Sequence, residues 1–414
     1  MKITHVVLNY YPSVGGTQWL FQNISERLVK NYGDEVTVLT TNSYYGPEKK
    51  NFKKIELVFE TLNGVIIQRF TFTRWHLELL RVILKISYRL FKSHPEKIVQ
   101  FLYGPNSSEL KKAMINSNAD VLCSSSSSYN FTQYPLWRKQ VKNAKPYVCM
   151  GAIHFTENVK EAVISPTTLK AIKAADGYIA NTQFEKDRLI GLGVEAKRIE
   201  VVGCGVEPLD YLKGDGILFR QQLGFDEADF IVGFVGRQEP LKNIDILIEA
   251  VKTARLKHKN IKLVIAGGHS WYTNQLTDNI IEANKNAPFI ALMTSISEAE
   301  KINLYNGINL FASASASESF GIVFLEAWAC KKPVIAVNIG AIASLISDNE
   351  DGLLVDANNV EAFSEAIIKL SNDKLLAQKL GKNGYQKMIA NYTWDVVTEK
   401  YRHTYMKAIK RFYK

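Results

Sequence analysis

Two carboxylates, Glu318 and Glu326, stand in the run Ser317-Glu318-Ser319-Phe320-Gly321-Ile322-Val323-Phe324-Leu325-Glu326-Ala327. The run follows the strand-like Ile308–Ala312 and reads as a loop opening a helix that reaches about Cys330. Glu318 then falls at the helix N-terminus, with Glu326 inside the helix. Unpaired N–H groups around Phe320, Gly321 and Ile322, together with the helix dipole, favour an anion such as phosphate. An acidic cap on an ordinary helix is the plainer alternative. A second set, Val235-Gly236-Arg237-Gln238-Glu239-Pro240-Leu241-Lys242-Asn243, follows another strand. Arg237 and Lys242 bracket its turn, and two such cations can hold a diphosphate, bidentately in the arginine's case. A solvated pair of surface cations is the competing reading. Gly15 and Gly16, in Tyr11-Pro12-Ser13-Val14-Gly15-Gly16-Thr17, would let backbone approach a ligand closely, although the loop does not match G-x-G-x-x-G. His154, just past the strand-like Tyr147–Ala152, is a further candidate, though a lone histidine is more often structural than catalytic.

The elements that must position these residues alternate along the chain as short β-rich runs and helical stretches, the pattern of parallel sheets with crossover helices. The first half has strand candidates at Ile3–Asn9, Glu35–Thr40, Asp120–Cys123, Tyr147–Ala152, Gly177–Asn181 and Arg198–Val202. A second series runs through Phe230–Val235, Ile261–Ala266, Phe289–Met293, Ile308–Ala312 and Pro333–Asn338. Between them, Glu207–Ala228 carries Pro208, Gly214, Gly216 and Gly224 and reads as a hinge. The expectation is an α/β protein of two Rossmann-like, doubly wound domains, 1–207 and 208–390, facing a cleft. Ligands of open α/β sheets bind at the carboxyl ends of the strands. A C-terminal helix, 391–414, would pack back on the first domain, with Thr393 capping it and Lys407, Lys410 and Arg411 near its end.

At 414 residues with 46% hydrophobic composition, two such domains can each bury a core. No repeat or low-complexity tract dominates, which excludes collagen-like, solenoid and disordered classes. The 4 cysteines lie far apart without a C-x-x-C pair, which speaks against a structural zinc site or disulfide scaffold and for a reducing compartment. No run is apolar enough for a membrane-spanning helix, and the N-terminus lacks a secretion signal, so a cytoplasmic protein is expected. A net charge of +10 suits an anionic partner: nucleotide phosphates, anionic lipid or nucleic acid.

Taken together, the Gly15-Gly16 loop, His154, Gly236-Arg237 with Lys242, and Glu318-x7-Glu326 resemble glycosyltransferase family 4. The runs "KKPVIAVNIGA" and "DGLLV" and the terminal helix bearing Trp394 follow the same pattern, most clearly between Phe230 and Asp356. The resemblance implies a retaining, hexosyltransferase-type enzyme of the GT-B fold that uses a nucleotide-sugar donor, UDP-linked in preference to GDP-linked. It implies that Arg237 and Lys242 clamp the donor diphosphate and that Glu326 holds the ribose hydroxyls. Glu318 would hold hydroxyls of the transferred sugar, with the amides of Ser319, Phe320, Gly321 and Ile322 nearby. His154 would touch the sugar or leaving group, and Gly15 and Gly16 would abut the diphosphate or acceptor. The sequence contains no D-x-D, so no metal and no other cofactor is expected, the two cations standing in the metal's place. Asn243 departs from the pattern, where a glycine commonly follows the lysine.

The stretch Arg74–Lys92 gathers Leu79, Val82, Ile83, Ile86 and Leu90 in one stripe, with Arg74, Glu78, Arg81, Lys85, Arg89 and Lys92 on the other side and Trp75 at the edge. Two readings stand: a surface helix packing its stripe on the first domain, or a basic amphipathic helix lying on an anionic membrane. The acceptor implied by the resemblance is a glycan or lipid-linked molecule in cell-surface polysaccharide synthesis, with the enzyme peripheral on the inner face of the membrane. An epimerase of the same fold and a non-catalytic nucleotide-sugar or membrane-binding protein are the alternatives. Nucleic acid is not expected as a partner, since net charge alone would support it.

Overall fold

The structure, a computed structural model, describes residues 1–13, 15–44, 53–73, 76–92, 95–125, 130–153, 164–285 and 287–414. Among the described residues two compact units form: those within 1–153, 164–203 and 397–414 make one, and those within 204–396 the other.

The first unit is built on an eight-stranded sheet. Its strands are β1 (Lys2–Val6), β2 (Glu35–Thr41), β3 (Phe59–Leu62), β4 (Val65–Phe70), β5 (Val121–Ser125), β6 (Tyr147–Met150), β7 (Gly177–Ala180) and β8 (Ile199–Val201). They lie in the order β3-β4-β2-β1-β5-β6-β7-β8, parallel except for β3. The β3–β4 hairpin is absent from the sequence expectation. Its turn is Asn63-Gly64, with φ of 49° and 81°, the positive values a two-residue hairpin loop needs.

Helix α1 (Gly16–Tyr32) buries Leu20, Phe21, Ile24 and Leu28, the periodic positions of the sequence. Helix α2 (Leu77–Phe91) packs Leu77, Leu80 and Leu84 against Ile98, Val99 and Leu102 of helix α3 (Glu96–Tyr103), a small satellite core. The C-terminal helix Trp394–Phe412 buries Tyr401, Tyr405 and Ala408. Tyr405 Oη lies 3.0 Å from His5 Nε2, and Arg402 Nε donates to Asp34 at 2.8 Å.

The second unit carries a six-stranded, all-parallel sheet in the order β11-β10-β9-β12-β13-β14. The strands are β9 (Phe230–Val235), β10 (Ile261–Gly267), β11 (Ile290–Thr294), β12 (Leu310–Ser313), β13 (Val334–Val337) and β14 (Leu353–Val355). Both faces are covered, so β9 reads as a continuous apolar run: Val232 and Phe234 enter one core cluster, Ile231 and Val235 the other.

The expected hinge is corrected. Residues 207–228 fold instead into the second unit as helices Pro208–Tyr211 and Gly216–Gln222. A Cβ on Gly216 would stand 2.6 Å from the Asn306 carbonyl oxygen, and Arg220 donates to Gly307 O at 2.8 Å and Asn309 Oδ1 at 2.6 Å. The glycine there serves close packing rather than flexibility. Among the described residues no helix is long and apolar enough to cross a membrane.

Candidate functional site

β9 and β12 are parallel neighbours, so the loops leaving their carboxyl ends emerge side by side. The Ala316 N–H donates to Leu241 O at 3.0 Å, and Lys242 Nζ lies 2.5 Å from Glu318 Oε1. The side chains of this ion pair are only 19% and 16% exposed. The next loop along the sheet is tied in as well: Gln238 N–H donates to Gly268 O at 3.1 Å. Gly267 has φ of 143° and lies against Gly236 with no room for a Cβ. Asn243 has φ of 48°. This left-handed position explains the departure from glycine, because asparagine is among the few residues that tolerate it.

Arg237 is largely exposed and pairs with its neighbour Glu239 at 3.0 Å. An exposed pair of this kind is worth little, so an incoming phosphate can compete for the guanidinium. The helix expected after Glu318 spans Ile322–Ala329 and is capped by Gly321, whose φ is 91°. Glu318 therefore stands in the loop before the cap, not in the cap itself. Phe320 is buried against Tyr392, ring centroids 5.6 Å apart, so its ring is withdrawn from any ligand and only its backbone could meet one.

Glu326 is buried in a second pairing. Its Oε1 lies 2.8 Å from Lys301 Nζ, and its Oε2 accepts from Tyr305 Oη at 2.8 Å. Lys301 also meets Glu298 at 2.8 Å. Burial alone would depress the Lys301 ammonium, yet Glu326 and Glu298 hold its pKa above the ordinary lysine value. Burial first, then the Glu326 charge, push the Tyr305 phenol well up. Sequence reasoning missed Lys301 and Tyr305; the available signal was their spacing of four on the helix Glu298–Gly307, which puts them on one face.

Gly15 and Gly16 open α1 in the first unit, and a Cβ on Gly16 would meet nothing within 4 Å. His154 lies outside the described residues. Just before it, Gly151–Ile153 rests on Glu185, a buried carboxylate invisible to motif reading. It accepts from Tyr178 Oη and Asn181 N–H at 2.7 Å each and from Ile153 N–H at 3.4 Å. It leaves no room for a side chain at Gly151, and Ala152 holds a φ of 100°. Burial raises the Glu185 pKa to about 7.

Comparison with known proteins bears on the family and the fold. Residues 217–387 match the family described as glycosyl transferases group 1, and residues 14–208 match glycosyltransferase family 4. The D-inositol 3-phosphate glycosyltransferase of Rhodococcus jostii is 32% identical over 243 residues, 56% of this chain and 54% of the relative. The chain spans about half the length of the curated relatives it matches. Among solved structures, Anabaena HepE in complex with UDP superposes with a TM-score of 0.69 at 18% identity, covering 98% of this chain and 99% of that one. Sucrose-phosphate synthase from Thermosynechococcus elongatus gives 0.71 at 19% identity, covering 99% and 100%.

Proposed function

Because the chain belongs to glycosyltransferase family 4 and has the GT-B fold, we propose that it moves a sugar from a nucleotide-sugar donor to an acceptor with net retention. The observation that carries this reading is the Lys242–Glu318 pair on the joined β9 and β12 loops, with Arg237 on the same turn. Lys242 and Arg237 bind the donor diphosphate and offset the charge that builds on it as the glycosidic bond breaks. Glu318, released from Lys242, accepts from hydroxyls of the transferred sugar, and the Ser319–Ile322 amides lie beside it. Glu326 takes the ribose hydroxyls, with Lys301 and Tyr305 holding its carboxylate in place. His154 contacts the sugar or leaving group, and Gly15 and Gly16 give the ligand a close approach to backbone.

UDP is the proposed nucleotide; the complex of HepE with UDP supports it. Cation clamping takes the place of a metal in this reading, so donor binding survives chelation. The acceptor is a glycan or lipid-linked molecule of the cell surface, with an anionic membrane as a further partner. A second acceptor reading, an inositol phosphate, is favoured by the names of the curated relatives.

The test is thermal stabilisation by UDP, GDP and ADP and their common sugars, with and without EDTA, followed by product analysis with each acceptor class. A shift with UDP that survives EDTA and is lost in Glu326→Ala supports the donor assignment. No shift with any nucleotide would move the non-catalytic reading forward.

A further inference from the structure

Helix α2 presents three sectors roughly a third of a turn apart. One, Leu77, Leu80 and Leu84, is packed on α3. A second carries Arg81, Lys85, Arg89 and Lys92, opposed in charge by Glu78 alone along the helix. The third is the expected stripe, and among the described residues it stays largely open: Leu79, Val82, Ile86 and Leu90 are 53–67% exposed, with Ile83 half-buried at its edge. A helix whose ordinary duty was to cover the sheet would have buried that stripe, as α1 buries its own.

We propose that α2 docks flat on an anionic lipid bilayer, with Leu79, Val82, Ile86 and Leu90 among the acyl chains. The neighbouring cations extend to the lipid headgroups, which is how long basic side chains reconcile buried stems with a solvated charge. Charge selects the occupant. Two copies of the chain meeting stripe to stripe would bring like-charged rows together, whereas an anionic surface complements them. At 15 residues and with charges along one side, α2 lies on a membrane rather than crossing it. This inference rests on the membrane partner proposed above and not on the donor assignment, since vesicle binding requires no turnover.

Sedimentation of the full chain with phosphatidylglycerol-containing vesicles, compared with phosphatidylcholine alone, tests it. The chain is expected to bind the anionic vesicles, to release them as salt rises, and to ignore the neutral ones. Ile86→Glu/Leu90→Glu and Lys85→Glu/Arg89→Glu should each weaken binding by at least about tenfold. All four positions are exposed, so thermal melting should stay unchanged, separating lost docking from lost folding. Overturning results would be no sedimentation with anionic vesicles at low salt, full binding by the Ile86/Leu90 variant, or equal binding to neutral vesicles. Self-association abolished by the same variant, without vesicle binding, would assign the stripe to a second copy and also overturn the proposal.

Discussion

Lys242 Nζ and Glu318 Oε1 meet at 2.5 Å across a sequence separation of 76 residues, because their loops leave adjacent parallel strands. The lysine is thus charge-compensated before any donor arrives. In the proposed donor complex a diphosphate would compete with a carboxylate for the ammonium, and that carboxylate is the group assigned to the incoming sugar. Donor binding and placement of Glu318 would then be one event.

Lys242→Ala should lower kcat by roughly 10²-fold if the ammonium stabilises the leaving diphosphate. It also strands Glu318 without its cation, so the single variant is ambiguous. In a Glu318→Gln background the loss on removing Lys242 should persist at similar size when measured as kcat against Glu318→Gln itself. Disappearance of the loss there would mean that Lys242 serves only to pair with Glu318.

Glu326→Ala should weaken UDP binding by about tenfold or more, through loss of a charge-assisted acceptor for the ribose. It should also destabilise the fold by roughly 1–3 kcal/mol, since Tyr305 and one side of Lys301 lose a buried partner. Glu326→Gln keeps an acceptor and should lie between wild type and alanine in both respects. Calorimetric titration with UDP and urea unfolding separate the two effects.

Glu185 gives a pH dependence of stability. Burial raises its folded pKa from 4.5 to about 7, so the folded state holds a proton that the unfolded chain has lost. Its contribution is fully present below 4.5 and is lost as pH rises through about 7. Urea unfolding across that window should show the decline, and Glu185→Gln, which cannot ionise, should flatten it. An unchanged slope in the variant would assign the decline to other groups.

His5 has the opposite sign. Its ring lies between Ser25 Oγ at 2.7 Å and Tyr405 Oη at 3.0 Å, and burial pushes its pKa from 6.5 down to about 3. The unfolded chain takes up the proton first, so stability is full above 6.5 and falls as pH drops below it. His5→Gln should reduce this acid sensitivity at some expense in stability at neutral pH. Because His5 and Tyr405 join β1 to the terminal helix, loss of Tyr405 protection in hydrogen exchange at low pH would show where the structure opens first.

Much of the scaffold was legible locally. β9 was read at its observed bounds, and the helix stripe of α1 and the loop–helix run around Glu318 were recognisable, because apolar periodicity and strand-to-helix order are properties of neighbouring residues. The β3–β4 hairpin went unread although Asn63-Gly64 announced it. The supposed hinge failed because glycine signals either freedom or close approach, and at Gly216 only the facing helix shows which.

Local sequence sets the chemical groups and their secondary-structure settings: cations after one strand, carboxylates around the start of one helix, and an apolar stripe beside a basic one. Tertiary structure alone decided their partners. It joined Lys242 to Glu318, gave Glu326 to Lys301 and Tyr305, buried Glu185 beneath Gly151–Ile153, and left the α2 stripe facing water. The reason is range. Periodicity and capping act within a few residues, whereas ion pairing and burial depend on distances set by strand order, which contacts far apart in the chain establish.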